Sequence, residues 1–192
     1  MEEVRCFIAI ELPDGVKRGL RELQAQLKAE SSAPVKWVEP ENIHLTLKFL
    51  GNVASGRIDE IAQAMKEAVR GTPPFSLEVK ELGVFPNPRR VQIVWVGVSG
   101  ETEKLATLQK RIESGLAKLG FAPENRRFTP HLTLARLRDR ATPQEREKLG
   151  QLIAETEFAA AQSFSVDSVK LIKSQLTREG PIYSQLSSAE LE

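Results

Sequence analysis

The tetrapeptide His-Leu-Thr-Leu occurs twice, at His44–Leu47 and His131–Leu134, and the two copies hold the only histidines in a chain of 192 residues. Each copy reads as a β-strand, and strand side chains alternate between the two faces. His44 and Thr46 therefore share one face while Leu45 and Leu47 share the other, and His131 with Thr133 follows the same pattern. Any fold of this chain must bury two leucine pairs and leave an imidazole and a hydroxyl together on the opposite side, twice.

The surrounding chain repeats in the same order. Apolar positions at Val16, Leu20, Leu23 and Leu27 predict an amphipathic helix over 14–30, and Leu105, Leu108, Ile112 and Leu116 predict another over 101–119. Helices are also expected at 55–70 and at 143–155, the latter opened by Thr142, Pro143 and Glu145 as a capping box. Alternating or continuous apolar runs predict strands at 5–10, 44–50, 75–82, 91–98, 131–136, 164–172 and 182–186, with a short extended piece at 35–38. The segment 84–90, with two prolines, reads as a loop. The units 14–98 and 101–186 thus form an internal repeat, down to Phe75-Ser-Leu-Glu-Val-Lys80 against Phe164-Ser-Val-Asp-Ser-Val-Lys170. The expected architecture is α/β of the α+β type. It is a single domain over 1–192, with two pseudo-twofold-related lobes whose antiparallel-rich sheets and flanking helices enclose a central cleft, bringing His44 opposite His131.

Composition narrows the functional classes. Basic residues number 27 and acidic 26, so the chain cannot coat nucleic acid by bulk charge, although a few placed arginines would suffice for a few phosphates. No apolar run approaches the length of a membrane span. The start Met1-Glu-Glu-Val-Arg5 lacks the basic and apolar regions of a signal peptide. The single cysteine, Cys6, lies in an apolar run and cannot form an internal disulfide, which points to a reducing, cytoplasmic setting. No His/Cys spacing suggests a metal.

Histidine exchanges protons near neutral pH. With a phosphate diester between two facing His/Thr pairs, the threonine hydroxyls would hold the non-bridging oxygens. One imidazole would take a proton from water while the other delivered one to the leaving oxygen. Arg126, Arg127 and Arg136 are candidates for the oxyanion charge. Strict alternation aims Arg136 away from His131, so it reaches the cleft only if the strand ends, twists or bulges near Ala135. Lys48 falls on the His44 face by parity, and Phe49 on the leucine face. Trp37, Phe49, Phe85, Phe128 and Tyr183 are candidate base-stacking or cleft-closing rings, and Trp95 reads as core.

His44-Leu-Thr-Leu-Lys-Phe-Leu-Gly51 and Arg126-Arg-Phe-Thr-Pro-His131-Leu-Thr-Leu-Ala-Arg136 resemble the paired His-x-Thr-x motifs of the 2H phosphoesterase superfamily. Within it the chain is most similar to the RNA 2',3'-cyclic phosphodiesterases, historically called 2'-5' RNA ligases. Arg5–Pro13 and Ser174–Tyr183 carry the likeness to both ends. The resemblance implies a bilobal fold and hydrolysis of RNA 2',3'-cyclic phosphate ends to 2'-phosphates without metal or other cofactor, with reversible 2'-5' ligation in some members. It further implies His44 as general acid, His131 as general base, Thr46 and Thr133 as phosphate ligands, and Arg136 as a phosphate-contacting arginine. The expected partner is RNA with a cyclic phosphate end, tRNA fragments among the candidates, bound by a monomer that needs no protein partner or membrane. The rivals are a phosphodiesterase for another small cyclic nucleotide and an RNA-binding module with little turnover.

Overall fold

A computed structural model describes residues 2–158 and 162–192. Its first sheet has the order β3 (His44–Ala54), β1 (Glu3–Glu11), β8 (Ser168–Leu176), β9 (Pro181–Glu190). The second has the order β2 (Val35–Trp37), β6 (His131–Leu137), β5 (Ile93–Gly100), β4 (Phe75–Phe85), β7 (Gln162–Val166). Every pairing in both sheets is antiparallel. β1 is buried on both faces from Cys6 to Ile10, as its continuous apolar run requires of a central strand.

Four helices cover the sheets: α1 (Asp14–Glu30), α2 (Ile58–Val69), α3 (Thr102–Ala117) and α4 (Pro143–Glu155). Their apolar stripes, such as Leu20, Leu23 and Leu27 of α1 and Leu105, Leu108 and Ile112 of α3, enter one continuous core with Leu45, Leu47, Leu132 and Leu134. The capping box opens α4: Thr142 Oγ1 accepts from the Glu145 amide, and the Glu145 carboxylate accepts from the Thr142 amide at 2.8 Å. Asp14 does not cap α1. Pro13 occupies that position, and Asp14 lies in the first turn. No helix among the described residues is long and apolar enough to cross a membrane.

Each half of the chain lends strands to the sheet that carries the other half's histidine. β4 follows β3 and α2 in sequence yet pairs beside β5, in the sheet that carries His131. β8 returns to pair with β1, in the sheet that carries His44. The single strand expected over 164–172 is therefore two. β7 pairs with β4 in the second sheet, and after Asp167 the chain crosses to β8 in the first. The burial phase records the break, because Phe164 and Val166 are buried before it and Val169 and Leu171 after it. An unbroken strand keeps one parity. Other bounds differ too: β3 runs to Ala54 rather than ending at 50, β4 continues to Phe85, paired with Ile93, and the last strand runs 181–190 rather than 182–186.

The loop after β4 is held against α4. Arg146 Nη1 donates to the Val91 carbonyl at 2.6 Å, and Gly150 lies so close to Pro88 that a Cβ there would fall 2.0 Å from its carbonyl oxygen. Helix propensity alone would make Gly150→Ala stabilising by about 1 kcal/mol. The contact reverses the sign: the substitution is expected to destabilise by ~1–3 kcal/mol, as overpacking does, in equilibrium denaturant unfolding.

Candidate active site

β3 and β6 have the same irregularity at the same place. In the β1–β3 ladder Ala9 pairs with Thr46 and Ile8 with Lys48, so Leu47 is skipped. In the β5–β6 ladder Trp95 pairs with Thr133 and Val94 with Ala135, so Leu134 is skipped. Each skip is a β-bulge, which adds one residue and resets the alternation of every side chain beyond it. Burial follows: Leu47 and Lys48 are both buried, as are Leu134 and Ala135, and the next residues, Phe49 and Arg136, are exposed.

The bulges correct two assignments made from parity. Lys48 does not share the His44 face. It is 8% exposed, its Nζ bonded to Glu113 Oε2 at 2.9 Å and to the Ala122 carbonyl at 2.7 Å. Phe49 is not on the leucine face. It is 70% exposed, with its ring 6.0 Å from that of Phe7, its ladder partner. The same reset turns Arg136 to the side of Thr133 and His131.

The first histidine sits in an aromatic frame. His44 is half-buried, with the Phe7 ring 5.7 Å away and the Tyr183 ring 5.1 Å away, both edge-on. Phe7, Ala9, Ile172 and Tyr183 form an apolar cluster on this face, separate from the main core. Asn42 Nδ2 donates to the Pro181 carbonyl at 3.2 Å, tying the turn before β3 to the start of β9, two residues from Tyr183. Burial lowers the His44 pKa below its ordinary value, opposed by a backbone hydrogen bond at Asn42; Lys17 lowers it further and Glu11 raises it. Burial raises the Tyr183 pKa, while the charges of Arg136 and Arg5 pull it back. Arg136 from β6 is thus felt by the ring that touches His44 on β3.

The second histidine has a matching frame. His131 Nδ1 lies 2.7 Å from the Thr129 carbonyl, two residues back. An imidazole whose Nδ1 hydrogen is held by a carbonyl keeps Nε2 free for proton exchange. The Phe85 ring stands edge-on to His131 at 5.1 Å, and Trp95 lies 5.3 Å from Phe85. Trp95, read as core from its apolar run, is the ladder partner of Thr133, and its ring covers Gly83, where a Cβ would fall 2.1 Å from it. Only glycine leaves room for the indole to lie on β4.

β3 is the edge of its sheet, and β2 covers β6 only from Ala135 to Leu137. Along their His-Leu-Thr segments both strands lack a partner on one side, and the two lie against each other. Thr46 and Thr133 are half-buried. Arg126 and Arg127 are exposed in the loop before β6, which Lys48 and Glu113 anchor through Ala122 and the Glu124 amide. Phe128 is half-buried and packs on the main core rather than standing free. Among the described residues no group of three or more His, Cys, Asp or Glu side chains is arranged to hold a metal ion.

A family model described as LigT like Phosphoesterase matches the chain twice, over residues 10–95 and 96–183. An RNA 2',3'-cyclic phosphodiesterase of Methanothermobacter thermautotrophicus is 40% identical over 184 residues, covering 96% of this chain and 97% of its own. The enzyme of the same name from Aquifex aeolicus is 33% identical over 187 residues, covering 96% and 95%. Among solved structures, E. coli LigT complexed with 3'-AMP superposes with a TM-score of 0.79 at 26% identity, over 99% of both chains. A Thermus thermophilus protein gives 0.78 at 25% identity, over 97% of both. With both halves matched, and relatives of the same length alike from end to end, the chain belongs to the LigT-like phosphoesterase family of the 2H phosphoesterases.

Proposed function

We propose that this protein hydrolyses RNA 2',3'-cyclic phosphate ends to 2'-phosphates, using one histidine from each half of the chain. The carrying observation is the bulge shared by β3 and β6, which gives both histidine strands the same shape and sets Arg136 where its charge reaches Tyr183 beside His44. Thr46 and Thr133 donate hydroxyl hydrogen bonds to the non-bridging oxygens, and Arg136 adds charge that strengthens as the phosphorus becomes five-coordinate. His131, neutral, takes a proton from water as the water oxygen bonds to phosphorus. His44, protonated, delivers its proton to O3' as the P–O3' bond breaks. Solvent then restores both rings. With a 5'-hydroxyl end in place of water, His131 takes the hydroxyl proton as the 5' oxygen bonds to phosphorus, and His44 protonates O3' as the P–O3' bond breaks, which leaves a 2'-5' linkage; exchanged roles run that step backwards to the cyclic phosphate.

The lowered pKa of His44 favours the neutral ring in the free protein. An anionic phosphate within a few ångströms favours the protonated ring, so substrate binding loads the acid with the proton it must give. The exposed Phe49, together with Arg126 and Arg127, offers stacking and charge to the nucleotides preceding the cyclic end. Lys48 is assigned no substrate contact, since its ammonium is engaged by Glu113. One chain, acting as a single bilobal domain over 1–192 with repeats 14–98 and 101–186, supplies both histidines, so the active unit is a monomer. Substrate RNAs, tRNA fragments among them, fit a cytoplasmic enzyme; a reducing compartment suits the buried Cys6 thiol, whose pKa burial raises to about 11.

His44→Ala and His131→Ala are each expected to lower turnover of an oligonucleotide 2',3'-cyclic phosphate by about 10²–10⁴-fold while leaving most of the binding. The product end should be a 2'-phosphate by nuclease mapping. Unchanged turnover in either variant would remove the paired-histidine mechanism. Preference for a different cyclic phosphate across a substrate panel would replace the RNA substrate. Binding without turnover in the unsubstituted protein would leave an RNA-binding module.

The His44 ring should titrate below 6.5, its ordinary value, when followed by NMR in the free protein. The folded state then binds fewer protons than the unfolded one in the interval beneath 6.5, so stability rises with pH there. The His44 contribution is present above 6.5 and is lost as pH falls through the folded value. His44→Gln should flatten that part of the stability–pH curve, and an unchanged slope would contradict the assignment.

A further inference from the structure

We propose that Gln24 and Gln109 are positioning residues, each holding the bulge that aims the opposite half's site. A bulge disturbs the local ladder, and side-chain donors that reach its buried carbonyls can hold it in place. For Leu134 the Gln24 side chain on α1 is a second donor beside a backbone amide: its Nε2 lies 3.1 Å from the Leu134 carbonyl and 2.7 Å from that of Val38. The Val38 amide also donates to Leu134, at 2.9 Å, so the glutamine joins β6 to the chain beyond β2. For Leu47 the donor is Gln109 on α3, with Nε2 at 3.4 Å from the Leu47 carbonyl and 3.3 Å from Glu113 Oε1.

The two arrangements are equivalent and crossed. Gln24 follows Leu20 and Leu23 as Gln109 follows Leu105 and Leu108, and each breaks an apolar helix stripe with an amide that is 2% or 7% exposed. A buried amide in such a stripe is unfavourable unless its hydrogen bonds are made. Here they are made to the skipped residue of a histidine strand, first half to second and second half to first. Without the glutamine the competing arrangement for β6 is regular alternation, which moves every side chain beyond Leu134 to the other face. Arg136 would then leave the cleft.

The functional consequence rests on the reading of Arg136 as a phosphate ligand, and the test separates the two. The kcat/KM of Gln24→Met is measured with Arg136 present and in an Arg136→Met background, alongside thermal unfolding. We expect a loss of about 10- to 100-fold with Arg136 present and less than about threefold without it, the coupling of residues that act through one another. Equal loss in both backgrounds would reduce Gln24 to a general stabiliser and overturn the proposal.

If Arg136→Met alone leaves activity unchanged, the phosphate role of Arg136 fails instead. A crystal structure of Gln24→Met then decides the clamp: Thr133 and Ala135 should no longer flank a skipped Leu134, and a retained bulge overturns it. Should Gln24→Met not fold, the structure of Gln109→Met is judged in the same way at Leu47.

Discussion

A β-strand cannot present residues of odd spacing to one face unless it surrenders a place in its ladder, and the site is built on that concession made twice. The skip at Leu47 brings His44, Thr46 and Phe49 to one side of β3, and the skip at Leu134 brings His131, Thr133 and Arg136 to one side of β6. The residue that would have stood on the cleft face is turned inward in each case. In β6 it is alanine and needs nothing. In β3 it is Lys48, and its buried ammonium is met by Glu113 and the Ala122 carbonyl. Removing one partner of such a pair is far more damaging than the pair is stabilising. Its use here is to fasten the loop that leads into His131.

The cleft faces of the two sheets divide the labour between apolar framing and charge. Phe7 and Tyr183 fix the His44 ring edge-on, and Phe85 does the same for His131. Edge-on aromatic packing holds a ring's orientation without occupying its nitrogens. For His131 a backbone carbonyl two residues upstream then settles which nitrogen is left over. The burial that holds the His44 ring in this frame also lowers its pKa.

The sharing of strands between sheets ties the two halves into one structure. A repeat whose copies folded separately would place each histidine on its own lobe with nothing to register one against the other. Here each sheet contains strands from both halves, and each histidine strand is touched from behind by a glutamine of the other half's helix.

The repeated His-Leu-Thr-Leu, the leucine stripes and the Thr142–Glu145 cap are local patterns, and they determined the strands, the helices and the pairing of an imidazole with a hydroxyl. Positions upstream of each bulge were legible for the same reason, since two-residue periodicity is a property of the chain alone. Arg136, Lys48 and Phe49 lie beyond a bulge, and counting by twos put all three on the wrong face. Some signal was present but unread: the phase change from Phe164 and Val166 to Val169 and Leu171, and a glutamine in the same place on two apolar helix stripes. The bulges themselves depend on which strand lies alongside and, for β6, on a donor that arrives from a helix far away in sequence. Hydrogen-bond register between distant segments is settled only when they pack, and so the aim of Arg136 was decided by the tertiary structure.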